Sequence, residues 1–98
     1  MREGAYQKQL IDKITALFPD CLIVKNDPGY KQGIPDLLIL FGNKWAMLEV
    51  KTSATSSIQP NQQFYVEKLD GMSFAAIVHP DNEEMVLDAL QSTFGSGG

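Results

Sequence analysis

The chain has 98 residues, of which 44% are hydrophobic and 20% charged, a composition typical of one small globular domain. No apolar run approaches the roughly 18–20 residues of a membrane span, and Met1 is followed by charge rather than by the apolar core of a secretion signal. The single cysteine, Cys21, cannot form an internal disulfide. It opens an apolar run, so we expect a buried, reduced thiol and a cytosolic protein.

The net charge of −4 argues against binding nucleic acid by bulk attraction, but the charge is unevenly distributed. Residues 1–59 contain seven basic and six acidic residues, a net of +1, whereas residues 60–98 contain one basic and six acidic residues, a net of −5. Any surface that faces DNA is therefore expected in the first half. Bound metal ions would also cancel acidic charge at a site.

The first half of the chain predicts one helix and three strands. Apolar residues recur at helical spacing over residues 3–18, and a proline follows that stretch. Residues 26–33 are dense in turn formers and are predicted to form a surface loop. Gly42-Asn43 is a two-residue hairpin signal with glycine first. Short apolar runs on either side of these turns predict strands over residues 21–24, 36–41 and 44–51.

The second half predicts a helix, a strand and a third helix. Pro60 suits a first helical turn, so a helix is expected from Gln59-Pro60 to just before Gly71. After a strand over residues 73–78, Asp81 is the predicted N-cap of the last helix, with Glu84 completing a capping box. The expected apolar face of the second helix consists of Phe64, Leu69 and, in part, Tyr65. The expected buried side of the third consists of Met85, Val86, Ala89, Leu90 and Phe94.

The predicted order is therefore α-β-β-β-α-β-α, an α/β fold. The central strands are apolar on both faces, which requires cover on both sides, so helices are expected on each face of a mixed sheet. We expect one domain over residues 1–94 and a flexible tail over residues 95–98.

Two carboxylates and a lysine are expected to meet at the open end of the hairpin. A two-residue turn pairs Phe41 with Lys44, and the same ladder then brings Asp36 opposite Glu49, with β-carbons roughly 4.5–5.5 Å apart. Lys51 falls on the same face, about 6.5 Å further along the strand. Carboxylates this close repel each other unless a cation bridges them, and oxygen ligands suit Mg²⁺ or Mn²⁺ rather than zinc.

A simpler interpretation is that strand-end carboxylates are solvated and that Glu49 with Lys51 belongs to the surface of an edge strand. The pattern of charges alone leaves both interpretations open. The other positions from Trp45 to Val50 are apolar, whereas a surface strand would alternate with polar residues more often.

The first helix offers a further acid. Glu3 and Gln7 share a helical face with Leu10 and Ile14, so they head the stripe expected to pack on the sheet. Glu3 is therefore a candidate third acidic ligand. Equally, it is an acid in a first helical turn, where the helix dipole favours negative charge.

The motifs resemble a known family at this point. Gly33-Ile34-Pro35-Asp36, an apolar strand, a turn and then Glu49-Val50-Lys51 resemble the signature of the PD-(D/E)xK nuclease superfamily, and the arrangement is similar to its VRR-NUC (virus-type replication-repair nuclease) family. Glu3 with Gln7-Lys8 resembles that family's first motif. Residues 57–62 resemble its Ser-x-x-Gln segment, in which Gln62 matches the glutamine and Gln59 competes with it. The resemblance covers residues 3 to about 78.

The resemblance implies a restriction-endonuclease-like αβββαβα core and DNA cleavage that depends on Mg²⁺ or Mn²⁺. By position, Asp36, Glu49 and the backbone carbonyl of Val50 would hold the metal, which activates a water as the nucleophile. Lys51 would orient that water and stabilise negative charge on the phosphate. Glu3 would hold a further water or a second ion, and Gln62 would support the site.

The resemblance also implies a homodimeric, structure-selective nuclease of viral or bacterial type, acting on branched DNA or four-way junctions. Lys25, Tyr30 and Lys31 flank the Gly33 loop and are candidates to contact the DNA backbone, with ordinary solvated loop residues as the alternative. A rival from another class is a non-catalytic DNA-binding or assembly module on the same fold. A restriction enzyme that reads base sequence would need a recognition insertion, for which this chain has almost no spare residues.

Overall fold

The computed structural model describes residues 1–95, and within that range the elements follow the predicted order. Of the tail expected over residues 95–98, all but Gly95 lies outside the described residues. No helix in residues 1–95 is long and apolar enough to cross a membrane. The elements are α1 (Glu3–Leu17), β1 (Leu22–Lys25), β2 (Leu37–Phe41), β3 (Lys44–Val50), α2 (Pro60–Met72), β4 (Phe74–Val78) and α3 (Glu83–Phe94).

The four strands form one mixed sheet in the order β1-β2-β3-β4. The first three strands are antiparallel, and β4 runs parallel to β3 after the α2 crossover. Gly42 begins the β2–β3 turn with a φ of +62°, a conformation that glycine adopts without steric cost. The predicted register is confirmed, since the ladder runs from Phe41–Lys44 to Leu37–Leu48. This register places residue 36 and residue 49 side by side at the end of the hairpin.

Helices α1 and α3 cover one face of the sheet, where the main apolar core lies. The side chains from the sheet on this face alternate along each strand, as strand geometry requires. Phe18, Phe41 and Phe94 close one end of the core, with ring centroids 5.2–5.5 Å apart. The core consists of Leu37, Ile39, Ala46, Leu48, Val50 and Val78 from the sheet, Tyr6, Leu10 and Ile14 from α1, and Val86, Leu90 and Phe94 from α3.

Helix α2 lies on the opposite face, so the expectation of helices on both faces is confirmed. It packs along β4 and β3 and buries Val66. It does not cover the β1–β2 half of that face, where Leu22 (59% exposed), Val24 (40%) and Leu40 (36%) remain open. Cover on this side of the sheet is therefore only partial.

Several local predictions were wrong because contacts from distant residues decided them. Helix α2 continues through Gly71 to Met72, since its last turns are held by the sheet: Asp70 accepts a hydrogen bond from the Ala75 N–H. Phe64 and Met85, expected to be buried, are exposed. The N-cap of α3 is Asn82 rather than Asp81, and no capping box forms.

The amide of Asn82 explains that shift. Its Oδ1 accepts from the His79 N–H at 2.8 Å, and its Nδ2 donates to the Ile77 carbonyl at 2.9 Å. These bonds fix the turn between β4 and α3, so the helix begins only after residue 82.

Candidate functional site

Asp36 is held in place by the loop that precedes β2. Gly33 has a φ of +89°, and a β-carbon there would lie 2.7 Å from Asn61 on α2, so glycine alone fits this close approach. Asn26 fixes the backbone of residues 35 and 36. Its Nδ2 donates to the Pro35 carbonyl at 2.9 Å, and its N–H donates to the Asp36 carbonyl at 2.8 Å. Asp36 in turn accepts a hydrogen bond at Oδ2 from the Val50 N–H at 2.8 Å. The carboxylate is therefore tied across the sheet to β3.

Glu49 is the one buried charged side chain among residues 1–95, with 3% of its surface exposed. It lies on the α2 face of β3, on the opposite side from its buried neighbours Leu48 and Val50. Its Oε2 accepts a hydrogen bond from Gln62 Nε2 at 3.2 Å and lies 3.6 Å from Lys51 Nζ. Such a group is hard to explain by packing, because burying a charge is unfavourable unless it is paired or binds a metal.

Burial, followed by the repulsion of the neighbouring Asp36 carboxylate, raises the pKa of Glu49 from 4.5 to about 7. Lys51 opposes this rise, and Glu3 adds to it slightly. The raised pKa thus reflects first the desolvation of Glu49 and then its closeness to the Asp36 carboxylate. A cation between them would remove the repulsion.

Gln62 connects the lysine to the glutamate. Its side-chain Oε1 accepts hydrogen bonds from Lys51 Nζ at 3.1 Å and from the Gln59 N–H at 2.9 Å, while its Nε2 donates to Glu49. Gln59 serves instead as the N-cap of α2 and completes a capping box with Gln62. Of the two glutamines that compete in the sequence, Gln62 is the one that contacts the predicted site residues.

The arrangement with three acids at one point does not form. No group of three or more Asp, Glu, His or Cys side chains in the described part of the chain is placed to hold a metal ion. Glu3 is exposed at the start of α1, which packs on the face of the sheet opposite to Glu49. Its charge still contributes to the raised pKa of Glu49, and its role as a third acidic ligand stays a prediction.

The remaining donor set nevertheless fits a hard divalent cation. Asp36 and Glu49 supply carboxylate oxygens, which Mg²⁺ and Mn²⁺ prefer. Val50 directs its N–H toward Asp36. In an extended strand, the N–H and C=O of one residue point to the same side, so the Val50 carbonyl also faces the Asp36 side. Mg²⁺ commonly binds through one or two carboxylates and completes its shell with water, so a third acid is not required.

The three residues predicted to contact DNA lie near this end of the sheet, and all are exposed. Lys25 ends β1, opposite Leu37. Tyr30 and Lys31 lie on the loop before Gly33, and Lys31 Nζ is 5.8 Å from the centre of the Tyr65 ring.

Asn26, which positions the Asp36 backbone, was not among the site residues predicted from the sequence. Its signal was an asparagine directly after a strand, a position where the side-chain amide often bonds nearby backbone. The hydrogen bonds that it makes to residues 35 and 36 join the two ends of the loop between β1 and β2, and local sequence does not specify this closure.

Comparison with known proteins supports the fold. No model of a protein family matches the chain, and no curated protein matches it. A solved structure named "VRR_NUC domain" superposes with a TM-score of 0.70, covering 88% of this chain and 94% of that one at 22% sequence identity. The restriction-endonuclease-like fold expected from the motifs is therefore confirmed, as is the resemblance to VRR-NUC domains at the level of the fold.

Proposed function

We propose that this protein is a divalent-metal-dependent endonuclease that cleaves structured DNA. The observation that carries the proposal is the buried Glu49 carboxylate, held beside Asp36 and paired with Lys51 on a fold shared with a VRR_NUC domain. Neither acid is needed to pack the sheet, and their proximity is unfavourable without a cation.

Asp36 and Glu49 are the proposed metal ligands, with the Val50 carbonyl as a further oxygen donor. When bound, Mg²⁺ or Mn²⁺ would supply Lewis-acid chemistry, lowering the pKa of the attacking water and withdrawing charge from the phosphate. The Val50 N–H donates to Oδ2 of Asp36, so Oδ1 of that carboxylate would serve as the metal ligand. Glu49 is oriented by Gln62 in the same way.

Lys51 is the proposed group that orients the water and stabilises developing negative charge on the phosphate. Only 12% of its side chain is exposed, and a positive charge in a poorly solvated place acts on a phosphate more strongly than one in water. Gln62 accepts from Lys51 and donates to Glu49, so one amide fixes both side chains relative to each other. We assign Gln62 a positioning role.

Structure selectivity and dimerisation belong to the same proposal. Lys25 and Lys31 would contact backbone phosphates, which position a nucleic acid without reading its sequence. A two-fold dimer would present two such sites, so that each protomer cuts one strand of a branched DNA. The open apolar face formed by Leu22, Val24 and Leu40 is the surface that we assign to the dimer.

A panel of labelled substrates tests the activity. Linear duplex, flap, splayed-arm and four-way DNA are incubated with Mg²⁺ or Mn²⁺, and products are resolved at nucleotide resolution. We expect metal-dependent cleavage of the branched DNAs in preference to linear duplex. Absence of cleavage from every DNA with either metal would refute the proposed activity.

Calorimetric titration with Mn²⁺ separates the enzyme from a non-catalytic DNA-binding or assembly module on the same fold. The parent chain is expected to bind Mn²⁺, and Asp36→Ala is expected to abolish binding. Lys51→Ala should retain Mn²⁺ binding and lose cleavage by at least about a hundredfold, the usual effect of removing a group that stabilises a transition state. A parent chain that takes up no Mn²⁺ would favour the non-catalytic module.

A further inference from the structure

A pocket of about 350 Å³ lies beside the candidate metal centre, on the same face of the sheet as Glu49. Met47 contributes to its apolar lining and precedes Glu49 by two residues on that face of β3, a separation of about 6.6 Å. The polar edge of the pocket includes Asn26, which also holds the Asp36 backbone. The pocket therefore lies two residues along β3 from Glu49 and close to both carboxylates. It is lined by Asn26, Asp27, Tyr30, Lys31, Ile34 and Met47.

The composition of the pocket suits a flat, aromatic ligand. Ile34 and Met47 provide apolar surface, and Met47 adds a polarisable sulfur. Tyr30 stands at the edge with 87% of its surface exposed, so its ring contributes little to the stability of the fold. An exposed aromatic ring next to an apolar pocket is the arrangement that proteins use to stack unpaired nucleobases.

Two opposite charges on the rim of the pocket would fix the orientation of a bound nucleotide. Lys31 offers an ammonium group for a backbone phosphate. The Asp27 carboxylate, fixed at Oδ1 by the Gly29 N–H at 2.8 Å, repels phosphate but accepts a hydrogen bond from an exocyclic amino group of a base. A nucleotide bound here would place its phosphate toward Lys31 and its base toward Asp27.

We propose that this pocket receives an unstacked nucleobase from the nucleotide next to the scissile phosphate. The inference rests on the proposed nuclease function and specifies its substrate: a strand in which the base beside the cut is unpaired, as it is at a branch. In continuous duplex, extruding that base requires breaking its pairing and stacking, which disfavours binding. The pocket then accounts for selectivity toward branched DNA, and Asp27 favours a base that carries an exocyclic amino group.

Binding of splayed-arm DNA, measured by fluorescence anisotropy with Ca²⁺ in place of Mg²⁺, tests the pocket without any need for cleavage. One abasic site is placed at each successive position around the branch. For the parent chain, we expect affinity to fall about five- to tenfold when one particular base next to the branch is missing, as the loss of one stacked base predicts.

Variants of Tyr30 identify the pocket as the place where that base binds. Tyr30→Ala should weaken binding of intact splayed-arm DNA by a similar factor, yet leave binding of the DNA that lacks the critical base unchanged. Tyr30→Phe should bind like the parent, because it keeps the ring. Phe64→Ala removes an exposed aromatic ring that does not line the pocket and serves as the matched control.

If Tyr30→Ala weakens the binding of intact and abasic DNA equally at every position, then the pocket does not bind the base. Equal weakening of the binding of splayed-arm and fully paired DNA would also refute this proposal. Failure to bind any of these DNAs would overturn it as well. The endonuclease proposal is judged separately, by Mn²⁺ uptake and cleavage. A chain that shows the Tyr30 coupling but cuts nothing would refute the activity and leave the pocket standing.

Discussion

At the scale of single residues, the proposed metal ligands Asp36 and Glu49 are placed where their charges destabilise the metal-free protein. Glu49 is desolvated on the sheet and repelled by Asp36, and Lys51 and Gln62 compensate only in part. Charged groups that are destabilised by burial and by like charges occur mostly at sites where a protein binds a ligand or catalyses a reaction. Removing the charge of one of these acids should therefore stabilise the metal-free protein and weaken metal binding.

Asp36→Asn tests the effect of the Asp36 charge on stability and on metal binding. Asparagine keeps an oxygen that can accept the Val50 N–H, but it removes the negative charge beside Glu49. In EDTA, we expect the variant to be more stable than the parent by up to about 1 kcal/mol, the free energy of a pKa change of less than one unit. Mn²⁺ should raise the unfolding temperature of the parent and leave that of the variant unchanged. Thermal unfolding with and without Mn²⁺ measures both effects.

The control for this variant is Asp20→Asn, which neutralises an exposed aspartate outside the site. It should change neither the stability in EDTA nor the response to Mn²⁺. If Asp36→Asn lowers stability in EDTA, then the Asp36 carboxylate stabilises the metal-free protein through its hydrogen bond more than it destabilises it by repelling Glu49.

Gln62→Ala tests the positioning role of the amide between Lys51 and Glu49. Loss of both hydrogen bonds should reduce kcat about tenfold or more, because misplaced catalytic groups lose rate steeply. Gln62→Glu should not restore the rate, since a carboxylate cannot donate to Glu49. Kinetics on the preferred branched DNA provide the measurement, with Gln63→Ala as the control from the next position on α2. An unchanged kcat in Gln62→Ala would remove the residue from the site.

At the scale of elements, α1 and α3 are joined by Glu83. Its Oε1 accepts from the Tyr6 hydroxyl at 2.8 Å, and its Oε2 pairs with Lys13 Nζ. Burial alone disfavours the charged form, but the bonds from Lys13 and Tyr6 outweigh it and lower the pKa of Glu83 below its ordinary 4.5. Burial and the same carboxylate raise the pKa of Tyr6, so the phenol stays protonated as the donor.

This contact predicts a pH dependence of stability. A carboxylate whose pKa is lowered by folding stabilises the protein at pH values above its ordinary 4.5, and that stabilisation is lost as the pH falls through the lowered value. Glu83→Gln should therefore reduce the free energy of unfolding by about 1.5–3 kcal/mol at pH 7, the range for hydrogen bonds to charged groups. The difference from the parent should shrink steadily below pH 4.5. Urea unfolding at a series of pH values measures it.

Glu84→Gln is the matched control, since Glu84 lies in the same first turn of α3 but is exposed. It should change stability by no more than about 0.5 kcal/mol, as expected for a surface position. A Glu83→Gln variant with the same loss at pH 3.5 as at pH 7 would show that packing, rather than charge, makes this contact.

The elements also indicate how far the sequence alone could predict this molecule. Local rules sufficed for the hairpin, where a two-residue turn fixed the pairing and thereby placed Asp36 next to Glu49. Local rules failed where contacts with residues distant in the sequence determine which side chains are buried. Val66, not Phe64, is the buried residue of α2, because the packing of that helix against β3 and β4 decides which of its faces is covered. Helical spacing likewise gives the buried face of α1 but not the side of the sheet on which α1 packs, so it does not place Glu3 relative to Asp36 and Glu49.

At the scale of the whole molecule, the two faces of the sheet are covered unequally. Helices α1 and α3 bury one face, while α2 covers only the β3–β4 half of the other. The uncovered half carries Leu22 opposite Leu40 and Val24 opposite Leu38, so the apolar side chains lie side by side across two strands. A contiguous apolar surface of this kind is typical of an interface between proteins.

Leu22→Glu tests whether this surface joins two copies of the chain. Because Leu22 is already 59% exposed, the substitution should leave the fold intact, yet it would place two like charges near a two-fold axis and disfavour association. We expect sedimentation velocity to give a dimer for the parent and a monomer for the variant, with cleavage of four-way junctions reduced more than Mn²⁺ binding. Met85→Glu places the same charge on an exposed position of α3 and should remain dimeric. A parent that sediments as a monomer, or a Leu22→Glu variant that remains a dimer, would rule out this surface as the interface.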